Sequence, residues 1–315
     1  MNKKILVTGS IAYDTIMVFP DRFRNHLLAD QLHILNVCFL TPQMRREYGG
    51  TAGNIAYNLK LLGEEPLVMA SVGEDIQPYV SRFAGLGIGT GLFKQIPGQF
   101  TAQAFITTDL DDNQITAFHP GAMNHSHETH VTAALGAGLA TIAPDGKEGM
   151  QQHARECAKA GVPFVFDPGQ GLPMFSGAEL EEFVRLADYV AVNDYEGKML
   201  EEKTGRKLEA IARDVEALVC TLGAKGSLIF AGGERHEVPP VPAEAVVDPT
   251  GCGDAYRAGL LYGIARGWDW PSTGKLGAVM GSLKIAQRGA QNHRASREEI
   301  EGRFRKAFGY SPWKG

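Results

Sequence analysis

The sequence predicts an α/β fold in which a mostly parallel sheet is flanked by helices on both faces and carries a small β-sheet lid. Short apolar runs alternate along the chain with amphipathic segments that have helical spacing. Some of these runs, such as residues 189–192, are apolar at every position, which is typical of parallel strands buried on both faces. Two β-rich stretches interrupt the alternation, and we assign them to the lid.

Strand candidates and helix candidates follow one another along the chain. In the first helix candidate, apolar residues from Ala52 to Leu62 recur at helical spacing. The predicted strands cover 4–9, 67–72, 139–142, 163–167, 188–192, 217–221 and 226–230. The predicted helices cover 52–62, 178–187, 194–203, 254–266 and 275–287. This order indicates a sheet wrapped by helices.

The lid is expected to come from two insertions, at about 15–46 and 100–121. Its β-rich segments lie at 15–20, 33–41, 101–108 and 113–119. Asp111 and Asp112 are expected to form the turn between the last two segments. In open α/β sheets the ligand lies beyond the carboxyl ends of the strands, so a lid there would close over it and exclude water.

The composition is that of an ordinary globular protein. The 315 residues are 44% hydrophobic and 21% charged, and no linker or internal repeat divides them, so we expect one domain over 1–315. A net charge of -5 argues against binding to nucleic acid or a membrane surface and favours a small-molecule partner. The first apolar run, at 5–7, is too short for a signal peptide, which predicts a cytoplasmic protein. Because the four cysteines lack C-x-x-C spacing, free thiols are expected.

The segment 248–254, with the sequence D-P-T-G-C-G-D, carries the strongest chemical signal. It immediately precedes a predicted helix, so the backbone N–H groups of Gly251, Cys252 and Gly253 can form an anion hole at the positive end of the helix dipole. Asp254, in the first turn of that helix, can accept a proton from an attacking hydroxyl. On these residues alone, a glycine-rich turn with Asp254 as an ordinary helix cap stays open.

This segment resembles the second signature of the ribokinase (phosphofructokinase-B) family, D-T-x-G-A-G-D, with Cys252 in place of the usual alanine. Four further segments resemble other motifs of the family, in the order in which the family has them. They are G-S-I-A-Y-D at 9–14, G-G-T-A-G-N at 49–54, N-D-Y-E at 193–196 and T-L-G-A-K-G at 221–226. The chain is therefore identified as a member of this family, which implies a ribokinase-like fold and ATP-dependent phosphorylation of a hydroxyl group.

Within the family, the chain is similar to bacterial adenosine kinases, above all at 9–23 and 118–123. The resemblance implies a set of substrate-binding residues. They are Ser10, Asp14, Gly50, Asn54, Phe118 and Gln170. In this set the carboxylate of Asp14 would accept hydrogen bonds from a ribose diol, and Phe118 would lie against the base.

The same resemblance implies an ATP side of the site. Asn193 and Glu196 would organise Mg²⁺ and phosphate through water, although a solvated helix face is the alternative for both residues. Thr221, Gly223 and Gly226 would let ATP lie close to the backbone, and a simple turn between strands is the alternative there. Some members of the family bind K⁺ beside the anion hole, so K⁺ is a further candidate cofactor.

The expected activity is transfer of a phosphoryl group from ATP to the 5′-hydroxyl of a purine nucleoside, adenosine first, with guanosine and inosine as further substrates. We expect a monomer or a homodimer. Two rival functions stay open: a kinase for ribose or a related free or phosphorylated sugar, and a non-catalytic regulatory protein that binds nucleosides. An apolar, aromatic pocket would favour a base, and a basic pocket would favour a sugar phosphate.

At two positions the chain departs from the bacterial adenosine kinases that it resembles. They usually present a second lid aromatic where this chain has Ala104, and a second glutamine after Gln170 where this chain has Gly171. Phe105 cannot simply replace the missing aromatic, because successive side chains of a strand face opposite sides. Base selection is therefore expected to be broader than in those enzymes.

Overall fold

The computed structural model describes residues 4–27, 36–111, 113–134 and 136–313, and within these ranges it contains thirteen strands and nine α-helices, besides short 3-10 turns. The strands are β1 (Lys4–Thr8), β2 (Ala12–Val18), β3 (Gln43–Gly49), β4 (Leu67–Val72), β5 (Leu92–Gln95), β6 (Ala102–Thr108), β7 (Gln114–His119), β8 (Ala137–Ile142), β9 (Phe164–Phe166), β10 (Tyr189–Asn193), β11 (Ala217–Thr221), β12 (Ser227–Ala231) and β13 (Glu234–Val238). The helices are α1 (Thr51–Leu61), α2 (Gln77–Leu86), α3 (Lys147–Ala160), α4 (Gly177–Leu186), α5 (Asp194–Thr204), α6 (Leu208–Ile211), α7 (Cys252–Ala265), α8 (Trp270–Lys284) and α9 (Arg297–Phe308).

Nine of the described strands form one large sheet in the order β13-β12-β11-β10-β9-β8-β1-β4-β5. The strands from β11 to β5 run parallel, and β12 and β13 extend the sheet antiparallel at one edge. From β1 the chain first builds outward to β4 and β5 and then, on the other side, from β8 to β11. The neighbours β1 and β8 therefore mark a switch in winding direction, where the carboxyl ends of the strands leave a crevice for a ligand.

Helices cover both faces of this sheet, as predicted. Alternate residues of β1 show the two layers, because successive side chains of a strand point to opposite faces. Ile5 and Val7 belong to the core formed with α1, α7 and α8, whereas Leu6 belongs to the core formed with α3 and α4. All three side chains are buried.

The lid is a second, four-stranded sheet with the order β3-β2-β6-β7. Strand β2 pairs antiparallel with β3 and parallel with β6, and β6 pairs antiparallel with β7. In this register Asp14 is opposite Ala104, and Ala104 is opposite Phe118. These three residues therefore share one face of the lid. The predicted small β-sheet lid is confirmed.

One lid strand differs from the prediction. The strand predicted at 33–41 is wrong for residues 36–41, which form no strand, and residues 33–35 lie outside the described part of the chain. The strand is β3 instead, and charged side chains such as Arg46 and Glu47 hide its alternation. Of the predicted turn, Asp111 lies in a turn and Asp112 lies outside the described residues.

The sequence patterns also missed six peripheral elements. They are the strands β5 and β13 and the helices α2, α3, α6 and α9. In addition, α8 begins at Trp270, earlier than the predicted start at 275. The Asp269 carboxylate accepts the Ser272 N–H at 2.8 Å and caps this helix. Pro271 in its first turn lacks only an N–H that would have no partner within the helix.

Three further properties concern the described residues alone. None of their helices has the length and apolar composition of a membrane span. No three of their His, Cys, Asp or Glu side chains converge in a group that could hold a metal ion directly. All four cysteines lie within the described ranges and are free thiols, as predicted.

Candidate active site

A cavity of about 340 Å³ lies between the lid and the carboxyl ends of the parallel strands. The ends of five strands and the loops after them, from β1 and from β8 to β11, contribute to its walls, as expected for the ligand site of an open α/β sheet. The cavity brings together most of the residues predicted for the site. They are Ser10, Asp14, Gly50, Asn54, Phe118, Gln170, Asn193, Glu196, Thr221, Gly251, Gly253 and Asp254.

Three predicted site residues do not line this cavity. The backbone N–H of Cys252, predicted to be part of the anion hole, donates to the Pro249 carbonyl at 3.1 Å in this structure. Gly223 and Gly226 lie in the turn between β11 and β12. Gly226 has φ +88°, and a Cβ there would lie 2.1 Å from the Val238 carbonyl oxygen, so the turn itself requires glycine.

Asp254 lies in the first turn of α7 and is held from α1. The Asn54 side-chain amide donates to Oδ2 of Asp254 at 2.8 Å, and Gln291 donates to Oδ1 of Asn54 at 3.0 Å. Gln291 thus fixes which end of the Asn54 amide faces the carboxylate. Burial raises the pKa of Asp254 to about 7, against the hydrogen bond from Asn54, which lowers it. A carboxylate with a pKa near neutral is suited to accept and release a proton at physiological pH.

The loop that begins α7 is held in place by the turn after α8. Gly251 has φ +80°, and a Cβ there would lie 2.8 Å from the Ala290 Cβ, so the close approach requires glycine. The Asp248 carboxylate accepts the Thr250 N–H at 2.9 Å and the Gly289 N–H at 2.8 Å. Burial opposes ionisation of Asp248, but these two hydrogen bonds and the nearby Lys284 charge lower its pKa.

Asp14 extends from the lid strand β2 into the same cavity. Burial, together with the negative charges of Glu47 and Asp248, raises the pKa of Asp14 to about 6. Gly49 on the neighbouring strand leaves room for this side chain, because a Cβ there would lie 2.7 Å from Oδ2 of Asp14. A partly desolvated carboxylate of this kind gains most from a ligand that donates hydrogen bonds to it.

The loop after β1 is joined to the start of α1. Oγ of Ser10 accepts the Thr51 N–H at 3.1 Å, and the Ser10 carbonyl accepts the Ala52 N–H at 3.0 Å. Gly50 has φ +83°, and a Cβ there would lie 2.4 Å from the Ser10 carbonyl oxygen. The two motifs around Ser10 and Gly50 therefore form one wall of the cavity.

Glu196 and Asn193 form a capping box at the start of α5. The Glu196 carboxylate accepts the Asn193 N–H at 2.8 Å and its Nδ2–H at 2.7 Å. Burial raises the pKa of Glu196, and the Asp167 charge adds to this against the opposing charge of Arg257. Each carboxylate oxygen has one protein donor and keeps acceptor capacity for water, so this pair fits a Mg²⁺ ion held through its hydration shell.

Comparison with known proteins identifies the family. The model of the pfkB family carbohydrate kinases matches residues 3–297. The chain belongs to the pfkB family of carbohydrate kinases. The family resemblance seen in the sequence is thereby confirmed, and the ribokinase-like fold is the fold of its structural relatives.

This pfkB kinase is similar to two nucleoside kinases and shares its fold with an adenosine kinase. It is 52% identical to the nucleoside kinase of Burkholderia thailandensis solved in complex with inosine, with a TM-score of 0.89 over 99% of this chain and 100% of the other. It is 32% identical to a nucleoside kinase of Methanocaldococcus jannaschii, over 86% of this chain and 90% of the relative. The adenosine kinase of Sinorhizobium meliloti, at 23% identity and a TM-score of 0.77 over 98% of this chain and 100% of the other, shares the fold.

Sequence reasoning missed a buried ion pair in this pfkB kinase. Arg257 and Asp167 both line the cavity, and their side chains are each 6% exposed. Nε of Arg257 lies 3.1 Å from Oδ1 of Asp167, but neither Nε nor Nη1 has a hydrogen-bond partner among the described residues. Arg257 could have been found, because it lies three positions after Asp254 and so on the same face of α7.

Arg257 also supplies positive charge to a cavity that is lined by several acidic side chains. Among the cavity-lining residues at described positions, it is the only cation, beside the carboxylates of Asp14, Asp167, Glu196 and Asp254. Burial raises the pKa of Asp167, with Arg257 opposing the shift. A phosphate-bearing ligand would therefore meet one buried guanidinium among four acids, which makes Arg257 a candidate phosphate contact of this kinase.

The lid end of the cavity is apolar. Phe118 and Ala104, which are opposite each other on β7 and β6, both line it, as predicted. Phe105 does not line the cavity and is 42% exposed, in agreement with the predicted alternation. Gly171 does not line it either, and a Cβ there would lie 3.1 Å from Cε of Met174. Of the two departures from bacterial adenosine kinases, only Ala104 is thus in a position to touch a ligand.

Proposed function

We propose that this pfkB kinase transfers the terminal phosphoryl group of ATP to the 5′-hydroxyl of a purine nucleoside, with adenosine, inosine and guanosine as substrates. The proposal depends mainly on one observation. Asp14, Ala104 and Phe118 lie in register on one face of the lid and line the same cavity as Asp254 and the anion-hole glycines. A diol acceptor and an aromatic surface thus lie side by side, which suits a ribose with an attached base.

The relatives support a nucleoside as the acceptor. The Burkholderia thailandensis enzyme is a nucleoside kinase whose structures include complexes with inosine and with ADP-inosine. The Methanocaldococcus jannaschii relative is also a nucleoside kinase. Inosine is a purine nucleoside, so a hypoxanthine base is included among the proposed substrates alongside adenine and guanine.

In the proposed reaction Asp254 is the general base. It takes the proton of the 5′-hydroxyl as the oxygen forms a bond to the γ-phosphorus of ATP, and the bond from that phosphorus to the bridging oxygen of ADP breaks. The N–H groups of Gly251 and Gly253, at the N-terminus of α7, would stabilise negative charge on the transferred group. Asn54 orients the base through its 2.8 Å hydrogen bond.

Two further groups would serve the phosphates. Glu196 and Asn193 would hold Mg²⁺ through water, and the metal would supply charge neutralisation for the phosphates of ATP. Arg257, whose Nη1 has no hydrogen-bond partner among the described residues, would donate to a phosphate oxygen. Asp167 would keep the guanidinium in position through the 3.1 Å ion pair.

A sugar-phosphate substrate is less well supported by the cavity. A sugar phosphate would need cationic side chains near the lid, where Ala12, Ala104 and Phe118 are instead apolar. Arg257, the cation that lines the cavity, lies on helix α7, which flanks the main sheet, and not in the lid. It is paired with Asp167, which follows β9.

The test is a substrate panel. We expect nucleoside-dependent consumption of ATP, with kcat/KM for adenosine, inosine and guanosine all above that for free ribose. A preference for ribose over every nucleoside would replace the proposal with the sugar-kinase alternative. Nucleoside binding without any ATP consumption would point to the non-catalytic alternative.

A further inference from the structure

Lys284, the last residue of α8, has no exposed surface (0%) although its side chain carries a charge. Its Nζ donates to the Asp248 carbonyl at 2.7 Å and to the Gln287 carbonyl at 3.0 Å. Burying a lysine ammonium is costly unless it is paired and hydrogen-bonded. A lysine in such a place therefore calls for a functional reason as well as a structural one.

The two carbonyl acceptors belong to the two segments that build the anion hole. Asp248 begins the loop that ends in Gly251 and Gly253, and Gln287 lies in the turn that supports this loop from behind. The N–H groups of residues 247 and 248 both donate to the Ile285 carbonyl, at 2.9 and 3.1 Å. Lys284 is thus the charged centre of a small network that joins loop and turn.

The surroundings of Nζ are those that favour a monovalent cation. Backbone carbonyl oxygens are the ligands that proteins use for K⁺, and the C-terminal end of a helix such as α8 favours positive charge. Burial lowers the pKa of Lys284, but the negative charge of Asp248 opposes this shift and favours the ammonium form. The two carbonyl oxygens that could serve K⁺ beside the anion hole are therefore already bound by an ammonium group, and the residues do not fit an added K⁺ ion.

We propose that the Lys284 ammonium takes the place of a monovalent cation beside the anion hole, so that phosphoryl transfer by this protein needs no K⁺. The inference rests on the proposed phosphoryl transfer and concerns the loop that would receive the phosphate. Lys284 is a positioning residue here: it fixes the backbone of the loop and adds a fixed positive charge behind it, without touching the substrate. A fixed charge needs no ion to bind before each turnover.

The first experiment measures the wild-type rate in NaCl, KCl, NH₄Cl and tetramethylammonium chloride at equal ionic strength and fixed Mg²⁺. We expect rates that differ by less than about twofold. Lys284 already occupies the carbonyl oxygens, so no monovalent ion can bind there and change the rate. Selective activation by K⁺ would overturn the proposal. If no acceptor supports ATP consumption in any salt, the proposed function fails instead, and the melting experiment below still tests Lys284.

The second experiment uses two variants at the same position. Lys284→Ala leaves space and two free carbonyls, so its rate should fall on the order of 100-fold in NaCl, the scale for losing one preorganised electrostatic group, and should recover with K⁺ or NH₄⁺. Lys284→Met fills the space without charge, so its rate should stay low in every salt. Loss of activity in Lys284→Ala that neither K⁺ nor NH₄⁺ restores would overturn the proposal.

Thermal melting gives a readout that needs no substrate. K⁺ should raise the melting temperature of Lys284→Ala above its value in Na⁺, since an ion that binds only the folded state stabilises it, and should leave wild type unchanged. Lys275 on the same helix, whose Nζ lies 3.3 Å from the Tyr310 hydroxyl at the surface, provides the control. Lys275→Ala should show no selective response to K⁺, and an equal response in both alanine variants would contradict the inference.

Discussion

The side-chain amide of Asn54 donates a hydrogen bond to Oδ2 of Asp254, although the two residues lie 200 positions apart in the chain. Asn54 lies at the start of α1 and Asp254 at the start of α7, and both line the cavity. The group proposed to contact the substrate thus also orients the group proposed to accept its proton. Movement of one is expected to disturb the other.

Replacing Asp254 with Asn keeps the shape of the side chain but removes the base. We expect turnover by Asp254→Asn to fall about 100-fold or more, with nucleoside and ATP affinities close to those of wild type. Steady-state kinetics and calorimetry measure the two effects separately. Turnover above about a third of the wild-type value would exclude Asp254 as the base.

The pH dependence of the rate should report the environment of Asp254. Its pKa is raised to about 7 and the base must be unprotonated, so kcat/KM should be full above this pH and should be lost as pH falls through it. Burial is the main cause of the raised pKa, and the hydrogen bond from Asn54 is the largest effect that lowers it. Asn54→Ala should therefore shift the acidic limb to higher pH, and a limb that stays in place would contradict the assignment.

Asp14 should contribute to binding rather than to the chemical step. Asp14→Ala removes a charged acceptor from the ribose hydroxyls, a loss on the order of 1.5–3 kcal/mol in nucleoside binding. Calorimetry without ATP measures this loss. Wild type should prefer ribonucleosides to 2′-deoxyribonucleosides and the variant should not, so equal discrimination by both proteins would refute the role.

Glu196 should affect the metal requirement. Glu196→Gln keeps the size of the side chain but removes its charge and one of its two acceptors for Asn193. The interaction with a hydrated cation should weaken, so more Mg²⁺ should be needed for half-maximal rate. Nucleoside affinity without ATP should not change. Glu202→Gln, at an exposed position on the same helix, is the matched control. If both variants have the wild-type Mg²⁺ dependence, Glu196 has only its capping role.

Ala104 should limit selectivity for the base. Because it lies opposite Phe118 on the cavity face, Ala104→Phe should add a second aromatic contact, worth about 1 kcal/mol beyond area burial, and tighten adenosine binding. The measurement is the kcat/KM ratio for adenosine, guanosine and inosine. Phe105→Ala, on the other face of β6, should leave this ratio unchanged. An unmoved ratio in Ala104→Phe would remove residue 104 from the base contacts.

The sequence was sufficient for the layers of the fold and for most of the cavity wall. Apolar runs mark buried parallel strands. Ser10, Asn193 and Thr221 were assigned to one site from the family motifs that contain them, and the structure brings all three to one cavity. The alternation along β6 also predicted correctly that Phe105 does not share the face of Ala104, which lines the cavity. Periodicity was informative wherever one face of an element is buried.

Contacts between distant segments could not be predicted in this way. The ion pair between Arg257 and Asp167 joins a helix to the end of a strand 90 positions earlier, and no local pattern records it. The same holds for Lys284, whose position at the end of α8 looks like an ordinary helix-terminal lysine until its burial is known. Strand β3 was missed for another reason, since its charged residues hide the period-2 pattern.

The separation of the lid from the main sheet has an evolutionary consequence. Asp14, Ala104 and Phe118 belong to a sheet of four strands, whereas Asp254, Glu196 and Arg257 lie on helices that flank the main sheet. With the proposed roles, mutations in the smaller sheet would change which molecule is accepted and leave the groups proposed to contact phosphate intact. New acceptor specificities would then need substitutions at only a few lid positions, and exchanging this sheet between relatives would be a route to engineered kinases.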